Sequence, residues 1–346
     1  MLEDKTVLVI GGGIAGLSAA AKLAANHIRS VLVEKSPSLG GHAVQYACKA
    51  TDACVKCGAC VVEEKWRQVH RDPHIEVAAA SRVTHVTPNE TGGWQVVVEK
   101  TDDGEAPQTF TCRADAVILA TGFTPFDPVN KPYGYGRFPD VITNLELERM
   151  LREKSLPVRL SDNRPPEKIA FVQCVGSRDA KLGHLWCSKV CCASALRMAR
   201  LIKFRRPETD ISIFYIDIQT FGKEFESYYR HVKDELQMIR AIPADIFQTA
   251  EDRLRVVYFN FDDNESREAL FDMVVLAVGI TPATDSRALA ELFQVTPADS
   301  GFLETAETSG VFTAGAVGGP MSIAESVASA GRAVRQVTGY LSRKSN

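Results

Sequence analysis

The chain has 346 residues, 45% hydrophobic and 24% charged, with a net charge of −3. That length exceeds one ordinary core and sets an expectation of two connected domains, while the near-neutral charge gives no sign of a nucleic-acid or acidic-lipid partner. No apolar run approaches the about 20 residues of a membrane span, the glycine-interrupted start does not read as a signal peptide, and nine cysteines in a chain of this kind read as metal-binding or catalytic thiols of a reducing cytoplasm rather than a disulfide framework.

Residues 6 to 10 (TVLVI) predict a strand that stops at Gly11-Gly12-Gly13-Ile14-Ala15-Gly16, after which Leu17 to Ala25 predicts a helix and Ser30 to Val33 a second strand ending in Glu34. Strand, glycine turn, helix, strand and acid together form the context in which G-x-G-x-x-G signals a dinucleotide. Gly11 permits the tight turn, Gly13 lets backbone approach a pyrophosphate, and Gly16 lets helix and strand pack closely. The helix start offers free N–H groups to the phosphates, and Glu34, 21 residues beyond Gly13, is placed to accept from the ribose hydroxyls.

Four of the nine cysteines follow within thirteen residues, at Cys48, Cys54, Cys57 and Cys60. Cys54-x-x-Cys57-x-x-Cys60 has the step of a ferredoxin loop, with Cys48 as a fourth ligand. A dithiol that exchanges with a disulfide substrate and a vestigial set are the other two readings. From Ile75 to Val98 and Gln108 to Ala120 short β segments alternate with turns at Asn89, Gly92-Gly93 and Asp102-Asp103-Gly104, closing on Ala120-Thr121-Gly122. Cys112 reads as a small hydrophobe there.

Residues 123 to 166 read as a crossover with helical periodicity only over Asn144 to Glu153. A second α/β unit then runs through a strand at Lys168 to Val172, a helix at Ser188 to Phe204, a strand at Ile211 to Ile216, a helix at Phe221 to Met238, and strands at Leu254 to Phe261 and Met273 to Val278. Where a nicotinamide-binding domain would write its own glycine fingerprint, this strand runs into Gln173-Cys174-Val175-Gly176-Ser177. Cys174, Cys187, Cys191 and Cys192 fall in that place, the last three at the start of a helix. A helix N-terminus favours thiolates and so metal ligation; a buried structural cysteine pair is the alternative. The chain returns through Val311-Phe-Thr-Ala-Gly315-Ala316 and Gly318-Gly319-Pro320 into a helix from Ser322 to Leu341.

This order resembles the thioredoxin and glutathione reductase group of flavoproteins: an α/β fold of two Rossmann-like domains with a small β-meander. The cysteine pattern of the second domain, with its Cys-Ser-x-x-Cys-Cys core, the missing nicotinamide motif, and the return with Ala316 where the group has aspartate, resemble more narrowly the A-type subunit of heterodisulfide reductase, in its short form from the heterodisulfide-reductase-like complexes of sulfur oxidisers. The resemblance implies FAD on Gly11, Gly13, Ile14, Ala15, Gly16, Glu34, Lys35, Gly40, Gly41, Ala120, Thr121, Gly122, Gly315, Ala316, Ser322 and Ile323, and a [4Fe-4S] cluster on the four second-domain cysteines. It further implies an FAD-binding domain over 1–145 and 280–346, an inserted pseudo-nicotinamide domain over 146–279, and a cytoplasmic homodimer. The homodimer would sit among cluster-bearing and thiol/disulfide-active subunits, relaying their electrons. No catalytic residue is assigned. A self-sufficient NAD(P)H-dependent disulfide reductase using Cys54 and Cys57 is the competing reading.

Overall fold

The computed structural model describes residues 2–89, 92–100 and 108–344, so the turn expected at Asp102 to Gly104 lies outside the described residues. The chain divides into two compact units, one made of Met1–Val44, Gly58–Thr124 and Thr281–Asn346, the other of Gln45–Cys57 and Pro125–Ile280.

The first unit is built on a parallel sheet of five strands, in the order Val311–Thr313, Ala116–Leu119, Thr6–Ile10, Arg29–Val33, Ile75–Ala78. Its central strands are unbroken apolar runs such as VLVI and AVIL because helices or other layers cover both faces. The helix Ile14–Ala24 lies against it through Leu17, Ala20 and Leu23, all fully buried. The long helix Ile323–Lys344 packs on that helix. A three-stranded antiparallel meander (Ser81–Pro88, Trp94–Lys100, Gln108–Ala114) turns Trp94, Val96 and Val98 inward by strict alternation. Cys112 is half-buried against this core, and burial pushes its thiol up. Two helices were not expected from the sequence. Val61–Arg71 buries only Val62 and Val69 in a charged run, and Ser286–Phe293 is short.

The second unit holds a seven-stranded sheet in the order Glu265–Phe271, Leu254–Asn260, Gln237–Gln248, Asp210–Tyr215, Lys168–Val175, Met273–Val278, Val141–Thr143. One expectation is corrected here, and one strand had no expectation at all. The helix predicted over Phe221 to Met238 spans only Phe225–Val232, and a strand of 12 residues follows at Gln237–Gln248. Its inward residues Ala241, Pro243 and Ile246 straddle a register shift, which hides the two-residue period. The edge strand Glu265–Phe271 (ESREALF) is largely exposed and charged, so it carries no apolar signal.

The unit also begins earlier than residue 146. Val141–Thr143 is an edge strand of its sheet, and Thr143 forms a capping box with Glu146 at the start of the helix Asn144–Lys154. Residues 45–57 join the same unit through a buried ion pair, Lys49 to Glu148 at 2.7 Å, with side chains only 4% and 3% exposed.

Candidate functional site

In the first unit the glycine turn has the shape its motif requires. Gly11 stands at φ +106°, and a side chain there or at Gly16 would run into backbone, at Ala120 and Gly11 respectively. A Cβ at Gly13 would meet nothing within 4 Å, so open space lies at the N-terminus of the Ile14–Ala24 helix. Ile14 and Ala15 open that helix, and the Leu17 N–H donates to Gly13 O at 2.9 Å. Gly40 donates to Gly12 O at 2.8 Å, and Gly41 lies against Gly13.

Glu34 is buried beneath this turn and accepts the Gly12 N–H at 2.6 Å on one carboxylate oxygen and the Ser36 N–H at 2.8 Å on the other. Each oxygen keeps a lone pair for a hydroxyl. Lys35 is committed elsewhere, to Asp285 at 2.8 Å. Ala120, Thr121 and Gly122 follow the neighbouring strand, and the buried Thr121 hydroxyl has no partner among the described residues. On the returning segment Gly315 (φ +75°) donates to Ser329 Oγ at 3.1 Å, and Ala316 is buried in the turn Gly315–Gly318. Ser322 and Glu325 cap the Ile323–Lys344 helix reciprocally. A cradle kept open at Gly13, a waiting hydroxyl at Thr121 and an acid at Glu34 fit a dinucleotide such as FAD.

In the second unit Cys174 is the last but one residue of the strand Lys168–Val175 and takes the left-handed region (φ +60°), at a shift in register between Val172 and Val175. Bulges of this kind re-aim side chains beside functional sites. Cys191 and Cys192 are the first two residues of the helix Cys191–Arg205, and Cys187 stands in the loop four residues ahead rather than in its first turn. The loop from 174 to 190 is firmly built. Ser177 Oγ and Ser188 Oγ share a buried hydrogen bond of 2.6 Å, Ser188 accepts the Ile280 N–H at 2.7 Å, and His184 Nδ1 lies 2.9 Å from Gly176 O. A side chain at Gly279 would collide with Ser177 Oγ, so that glycine is what lets the strand pass.

The four thiols act on one another electrically. Burial first, then the neighbouring Cys192, pushes Cys174 up to about 12 against the opposing pull of Arg178. Burial and the other three cysteines raise Cys191 far above its ordinary range, and burial raises Cys192. Desolvated sulfurs such as those of Cys174, Cys191 and Cys192 can all be thiolates only around a compensating cation. Arg178 is one cationic neighbour, held by Asp217 at 2.6 Å. Among the described residues no three His, Cys, Asp or Glu side chains converge on a single metal ion. A four-iron cube holds its ligands wide apart around a bulky core, so a donor set of four cysteines near one helix start fits it better than a lone ion.

Of the other cysteine set, Cys48, Cys54 and Cys60 are exposed and Cys57 half-buried. Cys48, Cys54 and Cys57 belong to the second unit and Cys60 to the first. Sequence reasoning passed over Gln173, Ser177, Ser188 and the Lys49–Glu148 pair. Only the adjacency of Gln173 to Cys174 could have flagged one of them.

Residues 5–172 match the family described as pyridine nucleotide-disulphide oxidoreductase. Over 94% of its length the chain is 29% identical to the A-type subunit of the H(2):CoB-CoM heterodisulfide, ferredoxin reductase of Methanothermobacter thermautotrophicus, covering 62% of that protein. Over 97% of its length it is 30% identical to the A-type iron-sulfur subunit of the CoB–CoM heterodisulfide reductase of Methanocaldococcus jannaschii, covering 64% of that one. The chain is a homologue of the heterodisulfide reductase A-type subunit. The chain spans under two thirds of the length of these curated relatives. Thioredoxin reductase of Lactococcus lactis superposes with a TM-score of 0.64 at 16% identity over 98% of this chain and all of that one, which shows the two-Rossmann fold expected from the sequence.

Proposed function

We propose that this chain is an electron-transfer component of a heterodisulfide-reductase-like complex, holding FAD in its first unit and a [4Fe-4S] cluster on Cys174, Cys187, Cys191 and Cys192 in its second. The observation that carries the reading is the gathering of those four cysteines, two buried and two half-buried, where the strand after residue 168 would otherwise open into a nucleotide-binding turn. Bound FAD supplies exchange between one-electron and two-electron chemistry, and the cluster supplies one-electron steps.

The residues of this chain bind and orient. Gly11 to Gly16 present the helix start to the phosphates, Glu34 and Thr121 accept and donate at the sugar, and Ala316 leaves the return turn without the carboxylate that thioredoxin-reductase-like relatives place there. The buried Ser177–Ser188 hydrogen bond ties together the two ends of the loop that carries Cys187. Electrons would pass between another carrier and a thiol/disulfide-active partner, in sulfur oxidation. Nine free cysteines suit the reducing cytoplasm for this work, and the assembly would be a homodimer joined to cluster-bearing subunits.

Purification without oxygen tests the reading. The expected product is yellow-brown, with one FAD and about four irons and four sulfides per chain by Cys₄ ligation of one cube, and neither NADH nor NADPH bleaches it rapidly. Stoichiometric bleaching by either nucleotide would favour a self-sufficient disulfide reductase working through Cys54 and Cys57.

A further inference from the structure

Gln173 is 7% exposed, and neither its carboxamide nitrogen nor its oxygen has a partner among the described residues. Buried amides are kept because something bonds them. The local geometry shows where this one points. Val172 and Val175 both pack in the core that covers one face of the sheet, with Ala170, Val274 and Leu276. Ile169 and Phe171 pack in the core on the other face, with Ala195, Leu196, Met198 and Ala199 of the Cys191–Arg205 helix.

The register shift falls between Val172 and Val175, so the two residues it sets apart, Gln173 and Cys174, lie on the helix side. The next positions up that helix from Ala195 lead to Cys192 and Cys191. The carboxamide thus stands beside Cys174, on the face that carries the helix start. The competing acceptor nearby is already engaged: Asp217 takes Arg178 at 2.6 Å and Gln219 at 3.0 Å on its Oδ1.

We infer that Gln173 is a positioning residue of the iron-sulfur seat, its carboxamide N–H donating toward the sulfur atoms of the cluster and thereby setting the cluster's reduction potential. The inference rests on the cluster reading above. A donor to sulfur stabilises the state with more negative charge, so it favours the reduced cluster. Glutamine suits the place because a lysine there would need a counter-ion and a leucine would offer no dipole.

The test uses the full chain purified without oxygen, with Gln173→Leu, which removes the donor at similar volume, and Gln173→Glu, which removes it and adds negative charge. Iron, sulfide and flavin are counted, and the cluster is titrated against mediators by electron paramagnetic resonance. Both variants are expected to keep the parent's iron and flavin. At fixed potential the reduced-to-oxidised ratio is expected to fall about tenfold in Gln173→Leu, the size of one charge-assisted hydrogen bond, and further in Gln173→Glu. A parent midpoint in both variants, or a raised one in either, overturns the inference. So does loss of iron from Gln173→Leu with Gln173→Glu holding the parent midpoint, which would make the residue a space-filler. A parent protein without iron, or iron that survives Cys191→Ala, removes the cluster reading itself, and the inference with it, before any titration begins.

Discussion

Lys49 and Glu148 form an ion pair almost wholly out of solvent, 2.7 Å apart and 4% and 3% exposed. Each has further partners. Glu148 also accepts the Ala47 N–H at 3.0 Å and the Ser194 hydroxyl at 3.3 Å, and Lys49 donates to Ala47 O at 3.1 Å and lies 5.5 Å from the Tyr46 ring centroid. The same surroundings drive the Tyr46 hydroxyl far above its ordinary range, by burial first and by the Glu148 carboxylate second. Lys49→Met would strand the carboxylate in a low dielectric, where breaking a buried pair costs about 3–5 kcal/mol. Two remaining donors on Glu148 temper that, so about 3 kcal/mol is expected at neutral pH, or roughly 6–12 °C in melting temperature for a body of this size. The double variant Lys49→Met/Glu148→Leu removes both charges and should recover most of the loss, leaving about 1–3 kcal/mol for the orphaned Ala47 N–H. Calorimetry of the four proteins of this cycle checks it, with hydrogen exchange over residues 45–57 as a local readout. A single variant that melts within about 2 °C of the parent, or a double variant no better than the single, would refute a buried pair that ties the cysteine run to the second unit.

Gly13→Val places a branched side chain in the open space at the helix start, and the purified variant is expected to carry no FAD while its far-ultraviolet circular dichroism stays that of the parent; full flavin occupancy would show that the phosphates lie elsewhere. Cys191→Ala is expected to lose all the iron and keep FAD, while Cys57→Ala keeps about four irons per chain; a parent with about eight, halved by Cys57→Ala, would assign a second cluster to Cys48, Cys54, Cys57 and Cys60. Lys131 donates to Asp179, and that hydrogen bond is the largest cause holding the Asp179 carboxyl below its ordinary value. A carboxyl depressed in the folded state contributes stability that is full above its unfolded pKa, about 3.9, and fades as pH falls through the lower folded value. Lys131→Met should therefore cost about 0.2–1 kcal/mol at pH 7 and nothing below the folded value, by urea unfolding across that range; a cost that persists there would mean lost packing rather than lost charge.

The first unit was legible because its signals are local. Gly11, Gly13, Gly16 and Glu34 fall within one strand–helix–strand span whose strands are buried beyond their first residue, so periodicity and motif agree. The second unit hid what depends on distant pairing. Gln237 and Met238 read as the tail of a helix, and the rest of Gln237–Gln248 carries no strand signal until the antiparallel partners Leu254–Asn260 are in place, since its shifted register erases the alternation that would mark it. Residues 45–57 gave no sign of their home, since Lys49 in isolation is a surface lysine. Only the fold brings Glu148 from 99 positions away to bury it.

Cys174 shows how the two kinds of information meet. Its place in the sequence, at the end of the strand where a phosphate-binding glycine would stand, marked it as a ligand. What the sequence could not show is that this non-glycine residue takes the left-handed backbone at φ +60°, a conformation that costs on the order of 1 kcal/mol and persists where the surroundings enforce it. The buried Ser177–Ser188 bond and the Ile280 N–H on Ser188 supply that enforcement. The same twist turns Gln173 and Cys174 together toward the helix start, so an apolar strand carries an amide and a thiol one step before its last residue, where the sequence pattern alone would continue its core.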